Sequence, residues 1–277
     1  MEIIRSISEM KTLRKQCTGE VGLVPTMGYL HDGHLQLVRN AKRDNPVAVV
    51  SIFVNPMQFT PNEDFKTYPR DLERDCKLLR SVGADVVFAP SDSDMYPKGY
   101  NTWVSVQGIT QYLEGQSRPT HFQGVTTVCN KLFNIVQPDK AYFGQKDAQQ
   151  ALVIQKMVRE LNMNLEIIVC PTVREADGLA MSSRNTYLTP QERPAASVLY
   201  RSLMLARDLY AGGERDAAKI KSAMTALVSQ VPAASIDYVS IADIDSLTEV
   251  EKISGRILVS LAVRIGKPRL IDNIVLG

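Results

Sequence analysis

Two of the three histidines, His31 and His34, stand three residues apart in the string Pro25-Thr26-Met27-Gly28-Tyr29-Leu30-His31-Asp32-Gly33-His34. An imidazole can donate, accept or carry a proton near neutral pH. Two of them at this spacing share one face if they lie in a helix. An apolar segment, residues 21–24, precedes the pair, and an amphipathic segment with Leu35, Leu37, Val38 and Ala41 follows it. This order predicts a strand, a glycine-containing turn and a helix start. Helix N-termini attract anions through unpaired N–H groups and the macrodipole, so the chemistry this stretch points to is phosphate handling. Gly28 and Gly33 allow close approach of a ligand to the backbone, or a positive φ. Metal ligation is the rival reading, although no Glu or Cys at zincin-like spacing accompanies the pair. The third histidine, His121, also precedes a predicted helix.

Three further groups of residues have chemical potential. Gly144-Gln145-Lys146-Asp147 repeats the same grammar of strand end, glycine, cation and helix start. A lysine there can meet a phosphate as a point charge; the plain alternative is a surface turn capped by Asp147 with Lys146 in solvent. Met181-Ser182-Ser183-Arg184 brings two hydroxyls and a guanidinium together in a polar segment, a combination suited to polyphosphate but common in short strings. Asn55, Gln58 and Gln150 are uncharged amides beside predicted strand ends, where they suit the hydroxyl and carboxylate groups of a small polar substrate.

The elements that must position these residues alternate regularly. Residues 47–54 form a nearly continuous apolar run, as expected of a strand buried on both faces of a parallel sheet. With the strand at 21–24 and the intervening helix it makes a βαβ unit with a right-handed crossover. Further helix–strand pairs follow: helix 71–82 with strand 85–88, a helix from 121 closed by Pro138 with strand 140–143, and a helix to about 161 with strand 165–169. Trp103-Val104-Ser105-Val106 reads as a short strand. Residues 60–70, polar and holding two prolines, read as a loop able to serve as a lid. Helices at 190–210 and 215–228 and strands at 236–241, 257–263 and 270–276 end the chain. The fold class is therefore α/β: a Rossmann-like doubly wound parallel sheet over residues 1–175, followed by a smaller C-terminal α+β domain over residues 176–277.

Bulk properties bound the possibilities. A chain of 277 residues is long enough for two cores, and 44% hydrophobic with 22% charged residues is ordinary for a globular protein. A formal net charge of +2 gives no basic footprint of nucleic-acid binding. Four separated cysteines without a Cys-x-x-Cys fit a reducing compartment. Met1-Glu2-Ile3-Ile4-Arg5 lacks a signal-peptide pattern, and no run of about 18 apolar residues is present to span a bilayer. A cytoplasmic protein without membrane or nucleic-acid partners is expected.

Taken together, the strings resemble the pantoate–β-alanine ligase (pantothenate synthetase) family, within the wider nucleotidyltransferase superfamily that shares the His-x-x-His element. The resemblance rests on residues 25–34, Phe53-Val54-Asn55-Pro56-Met57-Gln58-Phe59, Tyr68-Pro69-Arg70-Asp71, His121-Phe122-Gln123-Gly124-Val125, Phe143-Gly144-Gln145-Lys146-Asp147 with Gln149-Gln150, and Met181-Ser182-Ser183-Arg184-Asn185. These keep the family's order and spacing over most of the first 190 residues; the C-terminal part is less diagnostic. Position 145 is Gln where many relatives have Glu, with Lys146 and Asp147 kept.

The resemblance implies a two-step condensation of pantoate and β-alanine using ATP with Mg²⁺, through a pantoyl adenylate. It implies that Met27, Gly28, Tyr29, Leu30, His31, Asp32, Gly33 and His34 line the ATP site together with Gly144, Gln145, Lys146, Asp147, Val173, Met181, Ser182, Ser183 and Arg184. It gives His34, with His31 and Lys146, the catalytic roles. Gln58 and Gln150, with Asn55, would hold pantoate, and Gln58 would also meet β-alanine. Mg²⁺ would be held mainly by the ATP phosphates rather than by a protein site, the C-terminal domain would close over the ATP site, and the family favours a homodimer. Other readings are a nucleotidyltransferase or an aminoacyl-tRNA synthetase relative, the synthetase disfavoured by the near-neutral charge and the lack of a candidate RNA-binding domain, and a non-catalytic nucleotide-binding module, which leaves the amides unexplained.

Overall fold

The structure is a computed structural model that describes residues 1–61 and 63–277. Asn62, within the expected lid segment 60–70, lies outside the described residues. The chain divides into two compact units: Met1–Gln145 with Gln149–Pro171, and Lys146–Ala148 with Thr172–Gly277.

The first unit runs β1 (Glu2–Ile4), α1 (Ile7–Gln16), β2 (Val21–Thr26), α2 (Asp32–Asp44), β3 (Val47–Ile52), α3 (Leu72–Ser81), β4 (Val86–Phe88), α4 (Asp92–Met95), α5 (Glu114–Ser117), α6 (His121–Val136), β5 (Lys140–Gly144), α7 (Ala148–Glu160) and β6 (Glu166–Cys170). Its six strands form a sheet in the order β1-β4-β3-β2-β5-β6, with every pairing parallel. Alternation of side chains along each strand builds two separate cores. Val21, Leu23, Val49, Val86 and Phe143 face Val125, Leu132 and Val136 of α6 and Ile154 of α7. Val24, Val50, Val87 and Tyr142 face Leu35, Val38 and Ala41 of α2 and Cys76 and Leu79 of α3. Both faces are thus covered by helices, as a doubly wound parallel sheet requires.

The strand order reverses between β2 and β5, since β2 has β3 on one side and β5 on the other. Thr26 pairs with Ile52, and the Gly22–Lys140 and Leu23–Ala141 pairs, continued along β2, bring Gly144 level with Thr26. The carboxyl ends of β3, β2 and β5 therefore lie side by side. In open α/β sheets this reversal point is where ligands bind.

Three local expectations change. β1 is an edge strand that sequence pattern does not reveal: it has three residues, of which only Ile4 is buried, and it is recruited by pairing with β4. Residues 103–106 do not form a strand. Val104 gives its N–H to Thr127 Oγ1 (3.1 Å) and its carbonyl accepts from Thr126 Oγ1 (2.6 Å), so helix side chains satisfy the backbone that a neighbouring strand would otherwise pair. The helix expected over 190–210 is broken into α8 (Glu192–Ala195) and α9 (Val198–Ala211). Between them the Ser197 N–H and hydroxyl both turn back to the Pro194 carbonyl, at 3.3 and 2.8 Å.

The second unit continues with α10 (Ala217–Ser229), β7 (Ala234–Asp243), β8 (Ile257–Ile265) and β9 (Arg269–Leu276). The three strands form an antiparallel sheet in the order β7-β8-β9. One face carries Val239, Ile241, Val259, Leu261 and Val263 against Leu199 and Leu203 of α9 and Ile220 and Met224 of α10. This is a small α+β arrangement with its own core. Among the described residues no helix is long and apolar enough to cross a membrane.

Candidate active site

β2 delivers the histidine string at its carboxyl end. The chain leaves the strand through Gly28 (φ +82°) and Tyr29 (φ +50°), two successive residues in the left-handed region. A Cβ at position 28 would lie 3.0 Å from both Ile52 Cγ2 and Asp75 Oδ2, so glycine serves both the backbone angle and the packing. His31 is the N-cap of α2, with extended backbone, and His34 is the third residue inside the helix. The ring centroids are 4.0 Å apart at an interplanar angle of 35°. The His31 N–H donates to His34 Nδ1 at 3.4 Å. That nitrogen therefore carries the lone pair and Nε2 the proton. His34 thus carries an N–H donor in the first turn of α2.

At the neighbouring strand end, β3 leads through Asn55 into a 3₁₀ turn, Pro56–Gln58. Asn55 is 1% exposed and its amide is saturated. Nδ2 donates to Gln58 Oε1 and to the Gly124 carbonyl, both at 3.1 Å, while Oδ1 accepts from the Met57 N–H (3.3 Å) and the Tyr96 hydroxyl (2.8 Å). An asparagine side chain offers two donors and two lone pairs, so Asn55 has no capacity left for a ligand; it orients Gln58. The Gln58 Nε2 group faces only Met27 Sδ (3.1 Å) among these partners, and a thioether is a weak acceptor. Gln58 accordingly keeps donor capacity for a better acceptor.

The main chain of Gln58 is gripped as firmly. Its carbonyl accepts from His121 Nδ1 at 2.9 Å and from Arg118 Nη2 at 3.2 Å. His121 Nε2 lies 3.2 Å from Arg118 Nη1, which can only donate, so the histidine is neutral with its proton on Nδ1. Burial, helped by the Arg118 charge, lowers its pKa from 6.5 to about 4. Arg118 also forms a two-point pair with Glu63, Nη2 to Oε2 at 2.7 Å and Nε to Oε1. Burial works against the Glu63 charge, but the guanidinium outweighs it and holds the carboxyl below its usual range. Through Glu63, Arg118 ties the segment 60–70 to the Gln58 turn, and Phe59 packs on Phe65 and Tyr68 with ring centroids 5.3 and 5.9 Å apart.

β5 ends at Gly144, followed by a 3₁₀ turn, Gln145–Asp147. Gln149 and Gln150 begin α7 but differ in use. Gln149 is buried, donates to the Ile109 and Tyr112 carbonyls (2.8 Å each) and accepts from the Glu114 N–H (2.9 Å), stapling the 109–114 segment. Gln150 is half-buried.

Within the second unit, the Lys146 carbonyl accepts from Asn273 Nδ2 on β9 at 2.8 Å, and Lys146 Nζ lies 3.4 Å from Asp147 Oδ1. Val173 and Met181 are joined by the Met181 N–H to the Val173 carbonyl, 3.0 Å. Ser182 is the N-cap of a 3₁₀ helix, Ser183–Tyr187, its Oγ accepting from the Arg184 N–H at 3.2 Å. Arg174 pairs with buried Asp272 at 2.6 and 3.0 Å, and Arg193 with Glu175 and Asp177, so this polar segment has a defined course.

The family model described as pantoate-beta-alanine ligase matches residues 2–275. The chain belongs to the pantoate–β-alanine ligase family. It is 57% identical to the pantothenate synthetase of Acetivibrio thermocellus over 278 residues, covering 99% of each chain. To that of Moorella thermoacetica it is 58% identical, covering 100% of this chain and 99% of the relative. The crystal structure of pantothenate synthetase from Thermus thermophilus superposes with a TM-score of 0.95 at 46% identity over 99% of each chain. The pantoate-beta-alanine ligase of Francisella tularensis, solved in complex with β-γ ATP and β-alanine, gives 0.81 at 37% identity, covering 100% of this chain and 99% of that one.

The neighbouring strand ends differ in chemistry: the β2 end carries two imidazoles at a helix start, and the β3 end carries a neutral amide held in place by Asn55. Sequence reading passes over four residues that hold these groups in place: His121 and Arg118 behind Gln58, Asn273 behind Lys146, and Asp75 behind the histidine turn. His121 lies in a quoted string, which was a signal; Asp75 and Asn273 have none, because their partners are far away in the chain.

Proposed function

We propose that this chain condenses (R)-pantoate with β-alanine to pantothenate, converting ATP to AMP and pyrophosphate through a pantoyl adenylate. A pantoate carboxylate oxygen bonds to the α-phosphorus of ATP and pyrophosphate leaves. The β-alanine amine then attacks the acyl carbon and loses a proton to solvent, while the acyl C–O bond breaks and AMP leaves with that oxygen and the bonding pair. The full-length family match, 2–275, carries this reading.

Both reactants of the first step are anions, so catalysis rests on positioning and on stabilising charge at the transferring phosphorus. We assign that work to His34 Nε2–H, His31 and Lys146. The backbone and side chains of Met27, Gly28, Tyr29, Leu30, Asp32 and Gly33 are assigned to ATP, as are Gly144, Gln145, Asp147, Val173, Met181, Ser182, Ser183 and Arg184. Gln58 and Gln150 are assigned to pantoate, with Gln58 also serving β-alanine. Asn55 acts through Gln58, because its own hydrogen-bonding groups are all engaged.

Among the described residues no group of three or more His, Cys, Asp or Glu is arranged to hold a metal ion. We assign Mg²⁺ to the nucleotide, as the Mg²⁺–ATP substrate. Segment 60–70 is proposed as a lid that keeps water from the adenylate. Shortening it should raise ATP consumed per pantothenate made; unchanged coupling rejects the lid. The proposal includes a cytoplasmic homodimer, which sedimentation at twice the chain mass would support and sedimentation at the monomer mass would reject.

Pyrophosphate exchange into ATP tests the function. It should depend on pantoate and proceed without β-alanine. Exchange supported instead by an amino acid, or by no small acid, would reject the ligase.

A further inference from the structure

The turn that carries the histidines is held from outside by a residue with no place in the chemistry above. Asp75 lies in α3, on the far side of β3 in the chain, and is 1% exposed. Its two carboxylate oxygens each accept a backbone N–H from the turn: Oδ2 from Tyr29 at 2.7 Å and Oδ1 from Leu30 at 2.8 Å. The preceding amide, Gly28 N–H, meets Thr26 Oγ1 at 3.2 Å. Arg74 completes the clamp. It donates to the Leu30 carbonyl (3.0 Å) and to Asp75 Oδ1 (3.3 Å), and its guanidinium lies 4.9 Å from the centre of the Tyr29 ring.

A turn with two left-handed residues, one of them tyrosine, is disfavoured in isolation. Its amides point inward in this conformation and need acceptors away from water. A carboxylate suits that need because both oxygens accept and neither donates. Burial raises the Asp75 carboxyl above its ordinary value, while the Leu30 and Tyr29 N–H groups and Arg74 act in the opposite sense. His31 follows Leu30 directly and caps α2, so the angle at which Leu30 is held sets where both imidazoles stand.

We propose that Asp75 is a positioning residue for adenylate formation: by accepting the Tyr29 and Leu30 amides it locks the left-handed turn and thereby aims His31 and His34 at the α-phosphate. The role of the histidines in this statement rests on the functional reading above; the clamp itself does not.

Asp75→Asn keeps the shape but turns one acceptor into an NH₂ donor facing an N–H. Amide hydrogen exchange at Tyr29 and Leu30 should then accelerate by roughly 10–100-fold, while Val49 in β3 and Val87 in β4 exchange as in the parent chain. The turnover of pantoate-dependent pyrophosphate exchange should fall by roughly 10²-fold, the scale expected for a misplacement of about 1 Å, with KM for pantoate unchanged. A merely structural residue would instead loosen all these amides together.

Arg74→Gln, on a half-exposed side chain, leaves the carboxylate intact and provides the second variant: it should give a smaller fall in turnover of the same kind. Unchanged exchange at Tyr29 and Leu30 in Asp75→Asn overturns the clamp. Accelerated exchange at those amides with full turnover overturns the catalytic consequence. If Asp75→Asn does not fold, full turnover in Arg74→Gln overturns the proposal. A parent chain without pantoate-dependent pyrophosphate exchange rejects the functional reading alone, since the amide measurement still decides whether Asp75 holds the turn.

Discussion

The three histidines have similar local settings and different duties. His34 presents Nε2–H at the start of α2, stacked beside His31. His34→Ala should slow adenylate formation by roughly 10²–10⁴-fold with little change in denaturant midpoint, as measured by pantoate-dependent pyrophosphate exchange; a rate near that of the parent removes His34 from the catalytic list. His121 is buried and neutral, and donates from Nδ1 to the Gln58 carbonyl. Its pKa falls from 6.5 to about 4 on folding, because burial and then Arg118 oppose the charged form. Between those values the unfolded chain binds the proton and the folded chain does not, so stability from this group is complete above pH 6.5 and is lost as pH falls toward 4. A fall of that size corresponds to about 3 kcal/mol. Urea unfolding across pH 4–7 should show this slope in the parent chain and a flatter one in His121→Asn; equal slopes would exclude His121 as its source.

The elements matter here chiefly through what they bring close. α6 packs on the Pro56–Gln58 turn so tightly that a Cβ on Gly124 would lie 2.2 Å from the Met57 carbonyl oxygen and 2.7 Å from Gln58 Cα. Gly124→Ala should therefore cost about 1–3 kcal/mol and raise KM for pantoate more than KM for ATP. Calorimetry and steady-state kinetics would check both, and an unshifted pantoate KM would show that the turn tolerates the displacement. Helices α2, α3 and α6 and strands β2 to β5 are legible from apolar periodicity because their core-facing positions recur at regular spacing. The stretch at 103–106 has the same apolar alternation without being a strand. The Val104 backbone pairs with two threonine side chains on α6 and the Val106 carbonyl with Thr110, and periodicity says nothing about partners. Conversely, β1 lacks a pattern and becomes a strand because β4 offers it an edge.

At the scale of the whole molecule, the proposed function rests on the sheet topology and on a cation carried by the nucleotide. Chelation with EDTA should abolish pantoate-dependent pyrophosphate exchange while leaving the thermal midpoint of the nucleotide-free chain unchanged, since no described cluster of ligands is arranged to hold a metal ion; a lower midpoint on chelation would reveal a metal bound by the protein itself.

The amino-acid sequence by itself determined the family and the parallel α/β class. Those follow from strings of neighbours and from periodicity, both local properties. Only the tertiary structure decided which groups are available. Asn55 looks like a ligand in the sequence and is engaged inside the fold, while Gln58 keeps donor capacity. It also decided that the carboxyl ends of β3, β2 and β5 lie side by side, and that Asp75 grips an amide 46 positions away and His121 a carbonyl 63 positions away. A hydrogen bond acts over about 3 Å of space, whatever the distance along the chain. The available donors of this site are therefore what remains once the fold has satisfied its own.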